Sequence, residues 1–403
     1  MTEPLTDSEL AQHFRNNAVS SMPRAPLNAA LSRTVAEDPG LRTILLHAPP
    51  TQQLPVLLLA AVHATLLELA SIEPTGTATR HDTTPHELIR WYPNLTDDAL
   101  SADDRRLPSV FRDFVGLHRE RIVELVSTRQ TQTNEVGRSA LLLVGMGIIA
   151  DEIVRTDVSG RDVSGQDAAG QKIGLAHLDV GSSGGLNLLI DRLSHRYVRD
   201  SGAAGPEART DDGVVVGGPS AVELVVHTRG DVAVPERMPD FVARCGIDRR
   251  PVDITDDDEA RWLEACVWPD QIERFERLRA VIDIARQSPP ELLAGDAIES
   301  LEPSIERMSR AGHVVVTNSW VLNYLHPDER VAYAAELDRL GTSVDLSWIF
   351  LESPGLTPEL PWGAAPIESA LTALNLVRWR DGTRSIDHLA VCHPHGYWMH
   401  WSA

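Results

Sequence analysis

Leu178-Asp179-Val180-Gly181-Ser182-Ser183-Gly184-Gly185-Leu186-Asn187-Leu188 is the stretch whose chemistry bears most on the fold. An apolar strand over 173–180 runs into a turn of small residues, and the Leu-rich segment from 186 reads as the start of a helix. Glycine lets the backbone bend into conformations that other residues avoid, and brings it close to a ligand with no Cβ in the way. A helix start would present free N–H groups. In α/β sheets ligands lie at the carboxyl ends of strands, which is where such a turn sits.

Three ligand chemistries use a turn of this kind. A dinucleotide site has the pattern G-x-G-x-x-G, and here Ser183 occupies the second glycine position. A phosphate loop needs G-K-[ST], which is absent. An S-adenosylmethionine (SAM) site places an acid two positions before a loose glycine turn, as Asp179 stands to Gly181, with Gly185 packing the turn on its helix. SAM carries a sulfonium and an amino group, so a nearby carboxylate is electrostatically sensible. The expected cofactor-binding residues here are Asp179, Gly181, Ser182, Ser183, Gly185 and Asn187. Two alternatives stay open. One is a strand-to-helix turn with no ligand. The other is a G-x-S-x-G nucleophile elbow with Ser183 as nucleophile, Glu352 or Asp387 as acid and His393 or His395 as base. An elbow strand normally follows earlier strands and an oxyanion motif, and residues 1–150 offer neither.

Outward from the turn, the two sides differ. Residues 1–150 read as almost entirely helical. Thr6 and Asp7 cap a helix reaching about 19, and short helices follow at 26–36 and 38–46. The segment 54–69 is apolar on nearly every face and belongs at the centre of a bundle. Apolar residues recur at helical spacing over 107–129, and 139–153 reads as another buried helix. Segments 155–172 and 200–220 are rich in Gly and Asp and read as exposed loops. After 172, strands (173–180, 222–228, 242–248, 313–317, 343–351) alternate with helices (258–267, 269–286, 328–340). Asp381-Gly382 joins 374–380 to 386–392 as a hairpin. Such alternation implies a mostly parallel α/β sheet with helices on both faces and a terminal antiparallel hairpin. The expected organisation is a helical N-terminal domain over 1–154 and a Rossmann-like domain over 173–403, with an insertion at about 197–240.

A chain of 403 residues exceeds one ordinary core and suggests two domains. A formal net charge of -21 disfavours a nucleic-acid partner. Lys172 is the single lysine, so Schiff-base chemistry would rest on it alone. Cys245, Cys266 and Cys392 lack zinc or redox spacing. The N-terminus has no secretory pattern, and 54–69 is shorter than the ~20 residues a bilayer requires. The expectation is a cytoplasmic protein with no membrane or nucleic-acid partner, acting on a small molecule.

Four blocks, Gln132-Thr133-Asn134-Glu135-Val136-Gly137-Arg138-Ser139, the turn at 179–188, Val267-Trp268-Pro269-Asp270-Gln271 and Val321-Leu322-Asn323-Tyr324-Leu325, resemble the bacterial domain-of-unknown-function family 2332. The resemblance spans nearly the whole chain, in the family's order. It brings no function, but implies an architecture similar to class I SAM-dependent methyltransferases. In those enzymes an acid ending the second strand holds the ribose hydroxyls. Gly246-Ile247-Asp248 is similar, which implies Asp248, although its separation from the turn is larger than usual. Glu223 is a nearer acid but lies within a strand. The segment after the fourth strand lines the active site, and 313–324 resembles it. This implies Asn318 and Ser319 at the cofactor, with Tyr324 or Asn318 orienting the acceptor.

Asn134, Glu135 and Arg138 sit in a polar loop between two apolar helices. Asn134 and Arg138 are candidates for substrate binding, since Arg grips carboxylates bidentately, and Glu135 is the candidate base. The alternative is a helix cap with a buried ion pair. Trp268 could stack on a ligand ring, against a plain helix-start role for 268–271. His393, His395 and His400 suit an aromatic strand better than a metal site. His63 reads as a core histidine. The function expected from all this is alkyl transfer from SAM to a small molecule. A serine hydrolase and a non-catalytic ligand-binding protein are the alternatives.

Overall fold

The computed structural model describes residues 5–22, 24–71, 86–156, 174–200, 213–363 and 372–402. Lys172 and most of the loops expected at 155–172 and 200–220 lie outside them. The chain divides into two units: Met1–Thr133 with Asp253–Arg279, and Asn134–Val252 with Ala280–Ala403.

The first unit is helical. Thr6 and Glu9 form a reciprocal capping box at the start of helix Asp7–Ser21, satisfying two free backbone donors at once. The apolar segment becomes helix Pro55–Ser71, almost wholly buried. The helix expected over 107–129 is broken into Leu107–Leu117 and Arg119–Thr128, because His118 leaves the helical region (φ -107°, ψ 22°). His63 is a satisfied core residue: Nδ1 lies 3.1 Å from the Ala265 carbonyl and Nε2 lies 2.9 Å from Asn94 Nδ2. Burial holds its pKa down at about 4, so it stays neutral.

Asp270 departs from its expected role. The helix after it starts only at Ile272, and the Asp270 carboxylate instead accepts the Leu27 and Asn28 N–H groups (2.9 and 3.1 Å) at the start of helix Pro26–Glu37. Ala25, the residue at the cap position itself, has no side-chain acceptor. Asp270→Ala is therefore expected to destabilise this unit by about 1 kcal/mol, the usual worth of an N-cap. Urea unfolding would measure it, and an unchanged midpoint would show that the remote cap contributes nothing.

The second unit is built on one sheet. Its strands are β1 (Leu175–Val180), β2 (Ser194–Arg199), β3 (Val214–Val216), β4 (Glu223–Arg229), β5 (Phe241–Asp248), β6 (Leu292–Ala294), β7 (His313–Ser319), β8 (Leu346–Glu352), β9 (Thr372–Arg380), β10 (Thr383–Cys392) and β11 (Trp398–Trp401). They lie in the order β3-β2-β4-β11-β10-β9-β8-β7-β1-β5-β6. From β6 to β8 every pairing is parallel, while β8, β9, β10 and β11 follow as an antiparallel meander. The Asp381-Gly382 turn has φ of 49° and 72°, the two left-handed residues that a tight hairpin demands. The hairpin is not the end of the sheet, because β11, β4, β2 and β3 continue it. Residues 194–199, 214–216 and 223–229 are thus strands of the same sheet, and part of the loop expected at 200–220 is β3.

Central strands are buried on both sides, as parallel strands covered by helices must be. Val314, Val316, Trp348 and Phe350 face helices Leu301–Ser309 and Pro327–Leu340 in the main core. Helix Ser139–Thr156 covers the opposite face. A Cβ on Gly145 would come within 2.9 Å of Ile349, so glycine lets this helix approach β8. This helix, expected with the N-terminal helical region, belongs to the sheet unit.

Candidate functional site

From β1 the chain winds to β5 and β6 on one side and to β7 and β8 on the other. The order of the strands reverses between β1 and β7, and the carboxyl ends of the strands at such a reversal are where open α/β sheets bind ligands. Asp179, Asp248, Asn318, Ser319 and Glu352 all lie at these carboxyl ends.

The glycine turn is strained and held from behind. Gly181, Ser183 and Gly185 have φ of 82°, 53° and 68°. Positive φ is uncommon for a residue with a Cβ, so Ser183 marks local strain. Gly181 and Ser182 both donate N–H groups to the Ile247 carbonyl (2.7 and 3.1 Å), and the Ser183 N–H donates to Asp248 Oδ2 at 2.8 Å. Asp248 Oδ1 accepts from Arg250 N at 2.8 Å. Asp248 therefore clasps the turn from the neighbouring strand, and most of the turn's amides point inward. A Cβ on Gly181 would fall 2.3 Å from Val321, and one on Gly185 would strike Leu292 and Pro290 at 2.7 and 2.8 Å. These glycines are required by side-chain packing, and Gly185 does not pack the turn on a following helix. That segment, Leu186–Arg192, is a short 3-10 run kinked at Leu189. The expected helix start, with its fan of free N–H groups, is not formed, because the Leu-Asn-Leu-Leu-Ile run is buried as it passes into β2.

Asp179 is buried beneath this turn. Its Oδ1 accepts from Thr317 Oγ1 at 2.7 Å, and Thr317 Oγ1 lies 2.9 Å from His177 Nε2. A hydroxyl that donates to Asp179 must accept from His177, so the imidazole carries its proton on Nε2. Burial lowers the His177 pKa to about 3 and keeps the ring neutral. Burial pushes the Asp179 carboxyl up to about 6. The Thr317 hydrogen bond opposes the rise, the charge of Asp248 adds to it, and the charge of Arg138 opposes it.

Glu352 is a second buried acid, raised by burial against the pull of the Leu322 and Val321 N–H groups and of Arg138. Its Oε1 accepts from Val321 N (2.7 Å) and Leu322 N (3.0 Å), which fixes the chain leaving β7. Arg138 is buried and serves both acids electrostatically. Its Nη1 donates to the Ser319 carbonyl at 2.9 Å, its Nε donates to the Pro394 carbonyl at 2.8 Å, and its guanidinium lies 6.0 Å from the Trp320 ring. Charged, it offsets carboxylates that burial would otherwise neutralise.

The loop bearing Glu135 and Arg138 meets the C-terminal turn 393–396. Glu135 Oε2 lies 3.1 Å from His395 Nδ1, and Glu135 Oε1 accepts from Gly137 N at 3.2 Å. A Cβ on Gly137 would fall 2.3 Å from the His395 carbonyl, and one on Gly396 would fall 2.1 Å from the Gly137 carbonyl. Two glycines thus let the two backbones touch. Asn134 Nδ2 donates to the Ser182 carbonyl at 3.1 Å, which lays this loop along the glycine turn.

Other expected site residues fall elsewhere. Asn318 is spent on the core: Nδ2 donates to the Val180 carbonyl (3.0 Å), and Oδ1 accepts from Tyr333 Oη (2.9 Å) and Trp348 Nε1 (2.7 Å). Asn187 accepts from Ser139 Oγ at 2.9 Å, another internal link. The Ser182 hydroxyl packs against Gly246, where an added Cβ would lie 2.5 Å from it. Tyr324 is 75% exposed. Trp268 belongs to the helical unit, where it lines a small cavity with His63 and Tyr92. Glu223 is exposed and paired with Arg196. Asp387 is paired with Arg378, and Ser183 Oγ is buried with no hydrogen-bond partner among the described residues. His400 stacks on Trp398 (4.4 Å), and among the described residues no three His, Cys, Asp or Glu side chains group as metal ligands. Among the described residues no helix is long and apolar enough to cross a membrane.

Local sequence patterns did not reveal His395 as the partner of Glu135, nor Thr317 as the partner of Asp179. The signal for the first was a second glycine-bearing polar turn, His393-Pro394-His395-Gly396. No curated protein and no solved structure matches the chain. A family model matches residues 11–401, including every block on which the resemblance rested, and the chain belongs to that family, described as uncharacterized protein conserved in bacteria (DUF2332).

Proposed function

We propose that the protein binds SAM at the carboxyl ends of β1 and β5 and directs its alkyl group to a small-molecule acceptor. The observation that carries this reading is Asp179, a buried carboxylate at the sheet's reversal point beside a strained glycine turn. Three carboxyl groups, Asp179, Asp248 and Glu352, stand at the ends of β1, β5 and β8, against the single guanidinium of Arg138 that interacts with Asp179 and Glu352. A surplus of carboxylate in a buried site suits a ligand that brings positive charge, as a sulfonium and an ammonium do. When bound, SAM supplies an alkyl carbon activated by the sulfonium leaving group. The chain's residues have to hold it and orient the acceptor. Asp179 and Asp248 are the groups that would hold it. The turn's amides are largely engaged within the protein, so side chains rather than an amide cradle provide the recognition. Non-catalytic ligand binding fits the same strand ends. The hydrolase reading has the positive φ of Ser183 in its favour, but Ser183 Oγ lacks the hydrogen-bonded base that a nucleophilic serine uses.

Calorimetric titration with SAM and S-adenosylhomocysteine tests the proposal. Micromolar binding is expected, weakened at least tenfold in Asp179→Ala. No heat from either ligand with folded protein would sink the SAM reading.

A further inference from the structure

We infer that His395 is the proton-accepting group of this site, that Glu135 positions it, and that the acceptor is a hydroxyl compound. The inference rests on the proposed function and reassigns the base role from Glu135 to the imidazole beside it. Glu135 is 3% exposed and directs Oε2 at His395 Nδ1, 3.1 Å away, whereas the His395 side chain is 22% exposed. A carboxylate that is buried and lies 3.1 Å from a ring nitrogen, at ion-pair distance, is poorly placed to meet a substrate. The imidazole that it orients has solvent access. A carboxylate on Nδ1 selects the tautomer with its proton on that nitrogen, which makes Nε2 the basic atom.

The two halves of the pair are 260 positions apart in the chain, and their backbones meet through Gly137 and Gly396. Arg138, three positions after Glu135, ties the same turn to β7 through Pro394 and Ser319. The pair is thereby anchored to the carboxyl end of the sheet. His393 and Tyr397 are the other titratable rings against His395, at 5.4 and 6.3 Å.

The proton step follows. His395 Nε2 takes the proton of an acceptor O–H, and the O–H electron pair stays on oxygen, which becomes the nucleophile. The imidazolium, held by Glu135, later returns the proton to solvent. An acceptor carboxylate is already ionised at neutral pH and has no use for a base, whereas a hydroxyl does. The pair therefore favours a hydroxyl over a carboxylate as the acceptor.

Nitrogen-detected NMR of histidine-labelled protein, without SAM, tests the pair directly. The neutral His395 ring is expected with its proton on Nδ1. Its titration midpoint should fall by about one pH unit in Glu135→Gln, since loss of a carboxylate beside a cation has that effect. Wild-type protein alone decides the tautomer should the variant misfold. In a second arm, 4-nitrophenol is titrated and its phenolate absorbance recorded below its solution midpoint. Ionised probe on the wild type that is lost in His395→Gln supports the base role. A neutral ring protonated on Nε2, an unchanged midpoint in folded Glu135→Gln, or a nitrophenol spectrum indifferent to His395→Gln overturns the inference. The SAM titration reads Asp179 and these measurements read His395, so either proposal can fail alone.

Discussion

Asn318→Ala is expected to destabilise the sheet unit by about 3–5 kcal/mol, the range for breaking a buried hydrogen-bonded network. The side chain is wholly buried and joins three elements: the Val180 carbonyl on β1, Tyr333 on helix Pro327–Leu340, and Trp348 on β8. Alanine leaves two donors and one acceptor without partners in the core, and each such group costs about 1–3 kcal/mol. The cavity left by the missing amide adds to this. Urea unfolding followed by tryptophan fluorescence measures the change, and Trp348 reports from the site itself. A loss below about 1 kcal/mol would mean that water or a shifted neighbour replaces all three bonds.

Asp179→Asn is expected to stabilise the fold at neutral pH while abolishing ligand binding. The Asp179 pKa is about 6 in the folded protein, above the ordinary 3.8. The folded state therefore holds this proton more tightly than the unfolded chain, and wild-type stability falls as pH rises from about 4 to about 6. Two units at 1.36 kcal/mol each amount to about 3 kcal/mol, as an order of magnitude. Asparagine carries no charge and keeps an oxygen for the Thr317 hydroxyl. The variant and the wild type should differ little near pH 4, and the variant should gain by a few kcal/mol above pH 6. Denaturation at pH 4.5 and pH 8 checks the sign. An equal difference at both values would show that Asp179 does not titrate in this window. Strain retained at a site at the expense of stability is the usual mark of function.

How much was legible beforehand depended on distance along the chain. The helix cap at Thr6, the Asp381-Gly382 hairpin and the glycine turn each depend on residues within a few positions of one another. Their backbone geometry follows from local sterics and hydrogen bonding, so residue identity was enough to read them. Alternation of apolar runs likewise showed a largely parallel sheet with helices on both faces. The same local logic failed at Leu186–Arg192, where burial of every apolar side chain overrode the tendency to a regular helix. It failed again at 107–129, where His118 interrupts one period with two helices.

The partners of the polar groups were a different matter. Asp270 caps a helix 243 positions away, Thr317 meets Asp179 across 138, and Glu135 meets His395 across 260. Each carboxylate could be recognised as unusual, yet its role depends on which strand or turn lies beside it. Strand order is set by how the whole set of apolar faces is best covered, and no single segment carries that information. Asn318 shows the consequence: its position after the β-branched run marked it as a ligand contact, but Tyr333 and Trp348, brought in by a helix and a neighbouring strand, claim its side chain for the core.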